Sequence, residues 1–282
     1  MSGITNGYTT LLEYLRYITP AGQTLNEDAP DDAVLERLIM TASRRVDNLC
    51  GRMFYPRVET MYYDIPYDRT IWFGDDLLSV ISFKNGDDTA IASTEYTLKP
   101  YNAYPKYCLD MRNTSNTIFV GDTNASAEQV LKVEAFWGFH EQYATRAWKL
   151  AGTLGAAWAS TTTLTATLTT GNTLERRGGQ IIKIDNELFN NISATDTVLT
   201  VIARGDNGST AATHLNLAPV YVWTPMDEVK ELTIEVAKVM TGSRFGENVE
   251  TTSTYTGAGV IVTPRSLPVW AQEVIRKYQR IV

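Results

Sequence analysis

The chain has 282 residues, of which 44% are hydrophobic and 20% charged, a composition that is ordinary for a globular protein and excludes wholesale disorder. Thirty-two acidic residues against 25 basic ones give a formal net charge of −7 at pH 7. Because nucleic-acid binding depends on neutralising phosphates, this balance argues against a protein that grips DNA, although DNA could slide past such a surface. The N-terminal sequence lacks a signal-peptide pattern, and no apolar run reaches the ~20 residues of a membrane span, so we expect a soluble protein made in a cytoplasm.

The N-terminal part of the chain predicts two helices. Residues 11–18 place apolar side chains at helical spacing, and Thr9 or Thr10 stands where a helix cap is needed. Residues 31–49 carry the strongest helical pattern of the chain, with an apolar stripe on one side and charged residues on the other. Gly51 follows at the position where helices commonly end.

The region from residue 54 to residue 139 consists of short β-prone runs separated by turn signals such as Asn85-Gly86. No helical stretch lies between these runs. This order predicts a small antiparallel sheet or barrel and excludes the alternating βαβ order of nucleotide-binding folds. The predicted strands are residues 58–65, 70–73, 80–84, 96–98, 107–111, 117–120 and 129–137.

Residues 141–222 differ in composition from the rest of the chain, because charge is sparse there and threonine is dense. This stretch predicts an inserted β-domain of ordinary domain size. Its predicted strands are residues 164–168, 180–184, 198–203 and 220–223.

Helical periodicity returns after Pro225 and continues to Gly242, and a last helix is predicted over residues 268–281. Residues 243–267 are rich in Gly, Thr and Ser and predict a mobile loop or arm. The predicted fold class is therefore α+β, a small helical bundle of N-terminal and C-terminal helices with an antiparallel β-region and an inserted all-β module. The bundle and first β-region would occupy residues 1–140 and 223–282, and the module residues 141–222.

Residue types that carry catalysis or bind metals are few and scattered. His140 and His214 have no further His or Cys at metal-ligand spacing. Cys50 and Cys108 form no CxxC pair, so we expect both to be buried free thiols. No G-x-S-x-G pattern accompanies the histidines. We therefore predict no catalytic, cofactor or metal site, and expect the acidic pair at 75–76 to precede a strand.

Aromatic residues make up 10% of the chain and concentrate in the first β-region. Tyrosine and tryptophan give large contact areas at modest entropic cost and are enriched at protein interfaces. The excess of aromatic residues predicts a protein–protein contact surface.

A short leading helix, Leu11-Leu12-Glu13-Tyr14-Leu15-Arg16, begins a recognisable pattern. Three longer segments continue it: the helix that starts at Asp31-Asp32 and ends in Cys50-Gly51-Arg52-Met53-Phe54-Tyr55, the strand Val133-Glu134-Ala135-Phe136-Trp137-Gly138-Phe139, and the proline-led helices ending in Tyr278-Gln279-Arg280-Ile281. Together they resemble the head–tail connector (adaptor) proteins of tailed double-stranded DNA bacteriophages. The resemblance covers about residues 8–139 and 224–282. The insertion at 141–222 departs from it, because members of the family commonly pass from that strand almost directly to the proline-led helix.

The resemblance implies a structural, non-enzymatic subunit of the virion neck. Such subunits are expected to form a homo-oligomeric ring, here a dodecamer, under the portal protein and around a channel through which DNA passes without specific binding. The ring would also dock the tail or the next neck protein, and no cofactor is expected. We expect the C-terminal helix and tail to contact the portal through Trp270, Ile275, Tyr278, Arg280, Ile281 and Val282.

Three other functions stay open on the sequence. The chain could be another neck or tail completion protein, such as a stopper or tail terminator, although these tend to be smaller and mainly β, so the long helix at 31–49 disfavours them. It could be a surface- or glycan-binding module; within residues 160–222 only Phe189 and Tyr221, followed by Trp223, could serve as its aromatic platform. It could also be an enzyme that uses His140 or His214.

Overall fold

The computed structural model describes residues 3–19, 32–123, 126–245, 252–256, 259–263 and 267–280. Along these residues the helices and strands are α1 (Leu11–Ile18), α2 (Asp32–Cys50), β1 (Arg57–Tyr63), β2 (Thr70–Lys84), β3 (Tyr96–Lys99), β4 (Lys106–Met111), β5 (Leu131–Trp137), β6 (Trp148–Thr153), β7 (Thr165–Thr167), β8 (Ile181–Ile184), β9 (Glu187–Ala194), β10 (Val198–Val201), β11 (Pro219–Trp223), α3 (Asp227–Phe245), β12 (Thr252–Thr256), β13 (Gly259–Thr263) and α4 (Val269–Tyr278).

Two antiparallel sheets dominate the fold, and the predicted α+β class, a helical bundle with an inserted all-β module, is wrong. Within the described residues, a first sheet has the strand order β1-β5-β2-β4-β3 and a second has the order β6-β11-β8-β9-β10-β7. The class is mainly β. Amphipathic helices are strong local signals, whereas the sheets depend on pairings between distant segments, such as β1 with β5, which local periodicity does not report.

The helices form where the sequence predicts them. The predicted helix at 11–18 is confirmed as α1, and its start is fixed by a capping box in which Thr10 and Glu13 exchange side-chain-to-backbone hydrogen bonds. The long helix is confirmed as α2, which begins at Asp32 and buries Ile39 and Val46 completely. Helices α1, α3 and α4 all pack against α2, so the helices share one apolar core.

The first sheet is built around β2, which is one strand of 15 residues where the sequence predicted two. Its second half pairs with β5 and its first half with β4, and the register shifts between Trp72 and Leu77. The acidic pair Asp75-Asp76 lies inside this irregular stretch, so the prediction that it precedes a strand is wrong. The strand predicted at 117–120 is absent from the described structure.

The second sheet lies entirely between Trp148 and Trp223, and its core includes Ile182, Phe189 and Val220, all of which are completely buried. The sequence did not predict two of its strands, β6 and β9. The assignment of residues 141–222 to an inserted domain stays a prediction.

The two sheets meet at a small apolar cluster to which Val58 and Phe136 contribute from the first sheet and Trp223 from the second. The Trp223 indole N–H also donates to the Phe54 carbonyl oxygen at 3.1 Å. On the second sheet, β11 begins remote from this junction, at Pro219, and reaches it at Trp223. On the first sheet, β1 starts at the junction and ends remote from it, at Tyr63.

The C-terminal region contains a two-stranded hairpin and the last helix. Part of the predicted arm at 243–267 forms the hairpin β12–β13, in which Thr252 pairs with Thr263, and the rest of that prediction lies largely outside the described residues. The last helix, α4, is shorter than predicted. Of the helices that the structure describes, none is long and apolar enough to span a membrane.

Candidate functional site

A dense cluster of buried charge surrounds Glu187, the first residue of β9. Its carboxylate is 1% exposed and accepts hydrogen bonds from Nε and Nη2 of Arg204 at 2.9 and 3.0 Å. It also accepts from Nε2 of His214 at 2.8 Å and from the backbone N–H groups of Gly205 and Ala212 at 2.8 and 2.9 Å. We call Glu187, Arg204 and His214 the Glu187 cluster.

Electrostatics keep the Glu187 cluster charged. Burial alone would raise the pKa of Glu187, but the hydrogen bonds from His214, Arg204 and the two N–H groups lower it to about 2. Burial alone would lower the pKa of His214, but Glu187 and Asp185, whose carboxylate lies 2.8 Å from Nδ1, raise it above its ordinary value. The imidazolium donates one hydrogen bond from each ring nitrogen.

The Glu187 cluster is built to hold loops, because it leaves no position for a substrate. Five N–H donors surround the two oxygens of Glu187, and His214 is 2% exposed. The Arg204 guanidinium lies 3.9 Å from the ring centre of Trp158 and donates to the carbonyl oxygens of Ser160 and Ala212. The cluster therefore fixes the loops around residues 158–160 and 204–214 on the second sheet.

His140 is likewise engaged by the backbone. Its Nδ1 accepts from the Gln142 N–H at 3.0 Å, so the ring proton lies on Nε2, which donates to the Thr224 carbonyl oxygen at 3.1 Å. Burial lowers its pKa to about 4 and keeps the ring neutral. It borders a cleft of about 580 Å³ that also contains the ion pair of Glu228 with Lys277, 2.7 Å apart. Use of His140 in acid–base chemistry would break these backbone contacts.

Cysteines and carboxylates form no metal site in the part of the chain that the structure describes. No three or more His, Cys, Asp or Glu residues are grouped there so as to hold a metal ion. Cys50 and Cys108 are both buried and free, as predicted.

Three of the segments on which the family resemblance rests meet in the apolar core that the helices share. Phe54, Phe139 and Tyr278 come one from each segment and pack edge to face. Their ring centres lie 5.7 Å (Phe54–Phe139), 5.8 Å (Phe54–Tyr278) and 5.6 Å (Phe139–Tyr278) apart. This geometry is favourable for aromatic rings. We call these residues the aromatic trio.

Ion pairs hold the end of α4 at the aromatic trio. Arg52 donates to both carboxylate oxygens of Asp76 at 2.6 and 2.8 Å, and its Nε donates to the Tyr278 carbonyl oxygen at 2.9 Å. Burial raises the pKa of Asp76, and Arg52 opposes that shift. Arg280 adds a contact to Asp75 at 3.4 Å. The chain is thereby fixed up to its last described residue.

The predicted portal-contact residues occupy different environments. Tyr278 is 3% exposed and belongs to the helical core, and its hydroxyl donates to Glu228. Ile275 packs against the same core, whereas Trp270 is 40% exposed. Arg280 is engaged as described above, and Ile281 and Val282 lie outside the described residues. Of the four that the structure describes, Trp270 is the one that presents an apolar side chain to solvent, and portal contact stays a prediction.

Sequence reasoning missed two exposed apolar features. One is a turn of the second sheet in which Leu215 is 81% and Leu217 63% exposed. The other is a cleft of about 450 Å³ at the end of the first sheet, with Tyr67 and Ile118 exposed at its rim. The absence of charged residues between 207 and 226 was the available signal for the turn.

The aromatic contact surface stays a prediction, with exposed rings at Tyr62, Tyr67, Trp72, Tyr101 and Tyr107.

The aromatic residues of the glycan-binding alternative are not an open platform. Phe189 is completely buried and stacks on Trp158, with ring centres 5.3 Å apart. Trp223 is 3% exposed at the junction of the two sheets, and Tyr221 is partly buried beside Lys183.

No model of a known protein family matches the chain, and no curated protein sequence matches it either.

Proposed function

We propose that this chain is a structural subunit of the neck of a tailed-phage virion, an adaptor that forms a ring under the portal, extends the DNA channel and docks the tail or the next neck protein. The observation that carries the proposal is the aromatic trio. The segments that resemble the adaptor family are far apart in the chain, yet Phe54, Phe139 and Tyr278 pack on one another. The resemblance therefore concerns one packed unit rather than unrelated stretches.

The electrostatics of the chain agree with this function. A net charge of −7 per copy gives a ring through which DNA would pass without adhering. The side chains best suited to catalysis are committed to internal contacts, since the ring nitrogens of both His140 and His214 are engaged.

A second candidate is favoured by the fold class. Stoppers and tail terminators tend to be mainly β, and the chain is mainly β, which weakens the argument that α2 makes against them. The two functions differ in the partner that they need. An adaptor binds the portal directly, whereas a stopper or terminator requires a neck or tail that is already assembled.

The test is native mass spectrometry of the purified chain alone and mixed with the portal protein of the same phage. The adaptor function predicts a portal complex that contains one closed ring of this chain, with twelve copies expected. A chain that ignores the portal but binds a portal–neck complex or a tail tube supports the second candidate. A monomer that binds none of these contradicts both.

A point substitution tests the contact made by α4 better than a deletion. Removing the residues after Pro268 would also remove Tyr278 from the core, so loss of portal binding would have a trivial cause. Trp270→Glu changes an exposed side chain instead and should abolish portal binding while leaving the melting temperature unchanged. Val198→Glu, at a side chain that is also 40% exposed but lies on β10, is the matched control and should bind the portal normally.

A further inference from the structure

A strained turn with two exposed leucines immediately precedes β11 of the second sheet. Leu215 is 81% and Leu217 63% exposed. Leu217 also has a φ of +66°, a left-handed conformation that is unfavourable for a bulky side chain. Strain of this kind persists where the surrounding structure enforces it, and it is concentrated at functional positions. We call residues 214–218 the leucine turn.

The leucine turn is held rigidly from both sides. His214 anchors its start in the Glu187 cluster and exchanges backbone hydrogen bonds of 2.9 and 3.0 Å with Trp158. The Leu217 N–H donates to the Leu154 carbonyl oxygen at 3.0 Å. The exposed leucines are therefore presented in a fixed position, which lowers the entropic cost of a contact made by them.

The sequence segments that flank the leucine turn lack charged residues, and the exposed Asp185 beside it is paired with His214 at 2.8 Å. Residues 154–174 and 207–226 contain no Asp, Glu, Lys or Arg. The exposed Gly155, Ala156 and Ala157 lie between Leu154 and Trp158, beside the turn. Depletion of charge around exposed apolar side chains is typical of the centre of a protein interface.

A cleft of about 450 Å³ lies on the first sheet, between residues 65–69 and residues 115–119. Ile65, Met111 and Phe119 line it from the core side, and Tyr67 and Ile118 are exposed at its rim. We call it the receiving cleft.

The receiving cleft has a fixed wall and a polar rim. Arg69 donates to the carbonyl oxygens of Ser115 and Thr117 at 3.1 and 3.3 Å, which ties its two sides together. Asp68 lies on the same rim. An apolar centre surrounded by polar groups is the usual anatomy of a protein interface.

We infer that the leucine turn of one copy inserts into the receiving cleft of the next copy, so that identical chains associate head to tail. Each copy carries both the leucine turn and the receiving cleft, yet the leucines of its own turn are exposed. The turn and the cleft therefore make contact only between two copies. Each copy has a charge of −7, but the stretch 207–226 adds no carboxylate to it and Asp185 beside the turn is paired with His214, so copies can approach at the turn with little repulsion. The inference rests on the proposed function, because a ring of identical subunits requires a contact between two different surfaces.

Three variants test the contact in the full-length chain. The turn variant is Leu215→Asn with Leu217→Asn, since asparagine tolerates the left-handed conformation better than leucine. The cleft variant is Ile118→Asp. Leu150→Asn is the matched control, because Leu150 is 56% exposed on β6 but lies outside both surfaces.

Sedimentation velocity and native mass spectrometry give the oligomeric state of each variant, alone and bound to the portal. We expect the turn variant to weaken association of the copies roughly tenfold to a hundredfold for each leucine that the contact buries. We expect the cleft variant to weaken association by at least tenfold, whereas the Leu150 control assembles normally. Circular dichroism melts should show the turn variant at least as stable as wild type, because strain at Leu217 is relieved.

A mixture of the two variants gives the sharpest result. The turn variant keeps an intact cleft and the cleft variant keeps an intact turn, so an equimolar mixture should form dimers and nothing larger. If both variants assemble like wild type, the inference is overturned and the proposed function stands. If each variant is monomeric and the mixture forms no dimer, the head-to-tail contact is overturned. A wild-type chain that stays monomeric with and without the portal overturns the proposed function as well.

Discussion

Substitution of Glu187 by glutamine tests the role of the Glu187 cluster in the fold. Glutamine has the same shape, but its amide NH2 replaces an acceptor oxygen. The Oε1 position accepts from Arg204 and Gly205, and the Oε2 position accepts from Arg204, Ala212 and His214. Whichever way the amide turns, it places N–H donors against at least two other donors. It also leaves the guanidinium of Arg204 buried without its counter-ion.

The expected loss is large, because breaking a buried charge pair by removing one partner costs about 3–5 kcal/mol. One kcal/mol corresponds to about 2–4 °C of melting temperature in domains of 150–250 residues, so Glu187→Gln should melt roughly 6–20 °C below wild type. Thermal melts followed by circular dichroism, with urea titrations to obtain the free energy of unfolding, measure this difference. Because the cluster anchors the leucine turn, assembly should weaken as well.

The matched control is Glu59→Gln, which removes a charge of the same type from the surface. Glu59 is 52% exposed and its carboxylate lies 3.1 Å from Arg57, a geometry in which an ion pair contributes about 0–1 kcal/mol. If Glu187→Gln melts within the range of this control, the Glu187 cluster does not stabilise the fold, and the argument for a rigid leucine turn fails with it.

Three further predictions concern pH and backbone geometry. Burial raises the pKa of Asp47 from 3.8 to about 6, so the free energy of unfolding should rise as pH falls through about 6, and Asp47→Asn should remove that rise in urea titrations at several pH values. The pKa of His214 is raised above 6.5, so the contribution of His214 to the free energy of unfolding is complete below pH 6.5 and is lost as pH rises through the folded-state pKa. His214→Asn should therefore remove this pH-dependent loss of stability. Gly208 has a φ of +77° and an added Cβ would collide with the Val58 carbonyl oxygen, so Gly208→Ala should lower the melting temperature more than Gly171→Ala, where φ is +80° but the space is open.

The helices could be predicted from sequence because their signals are local. The apolar spacing of residues 11–18 and the caps at Thr10 and Gly51 lie within a few residues of the helices that they define. The strand β9 gave no such signal, because it is buried on both faces over most of its length and does not alternate. The sequence predicts two strands in place of β2, because Gly74-Asp75-Asp76 has the composition of a turn. In the structure Asp76 is buried inside the strand, where it pairs with Arg52.

The candidate sites depend on contacts that lie far apart in the chain. Glu187, Arg204 and His214 come together because loops fold back onto one hairpin, and no spacing rule predicts that meeting. Their position in a charge-poor region was a usable hint, since an isolated charge in such a region needs a partner. The burial of Tyr278 could not be predicted, because the same helical pattern fits a core helix and an exposed one.

Electron microscopy of the chain mixed with the portal protein of the same phage tests the central claim most directly. The proposed function predicts a ring of this chain, coaxial with the portal and closed around an open channel, and the further inference predicts the leucine turn of each copy in the receiving cleft of its neighbour. Portal particles without an added ring, seen together with free monomers of this chain, would contradict the proposed function.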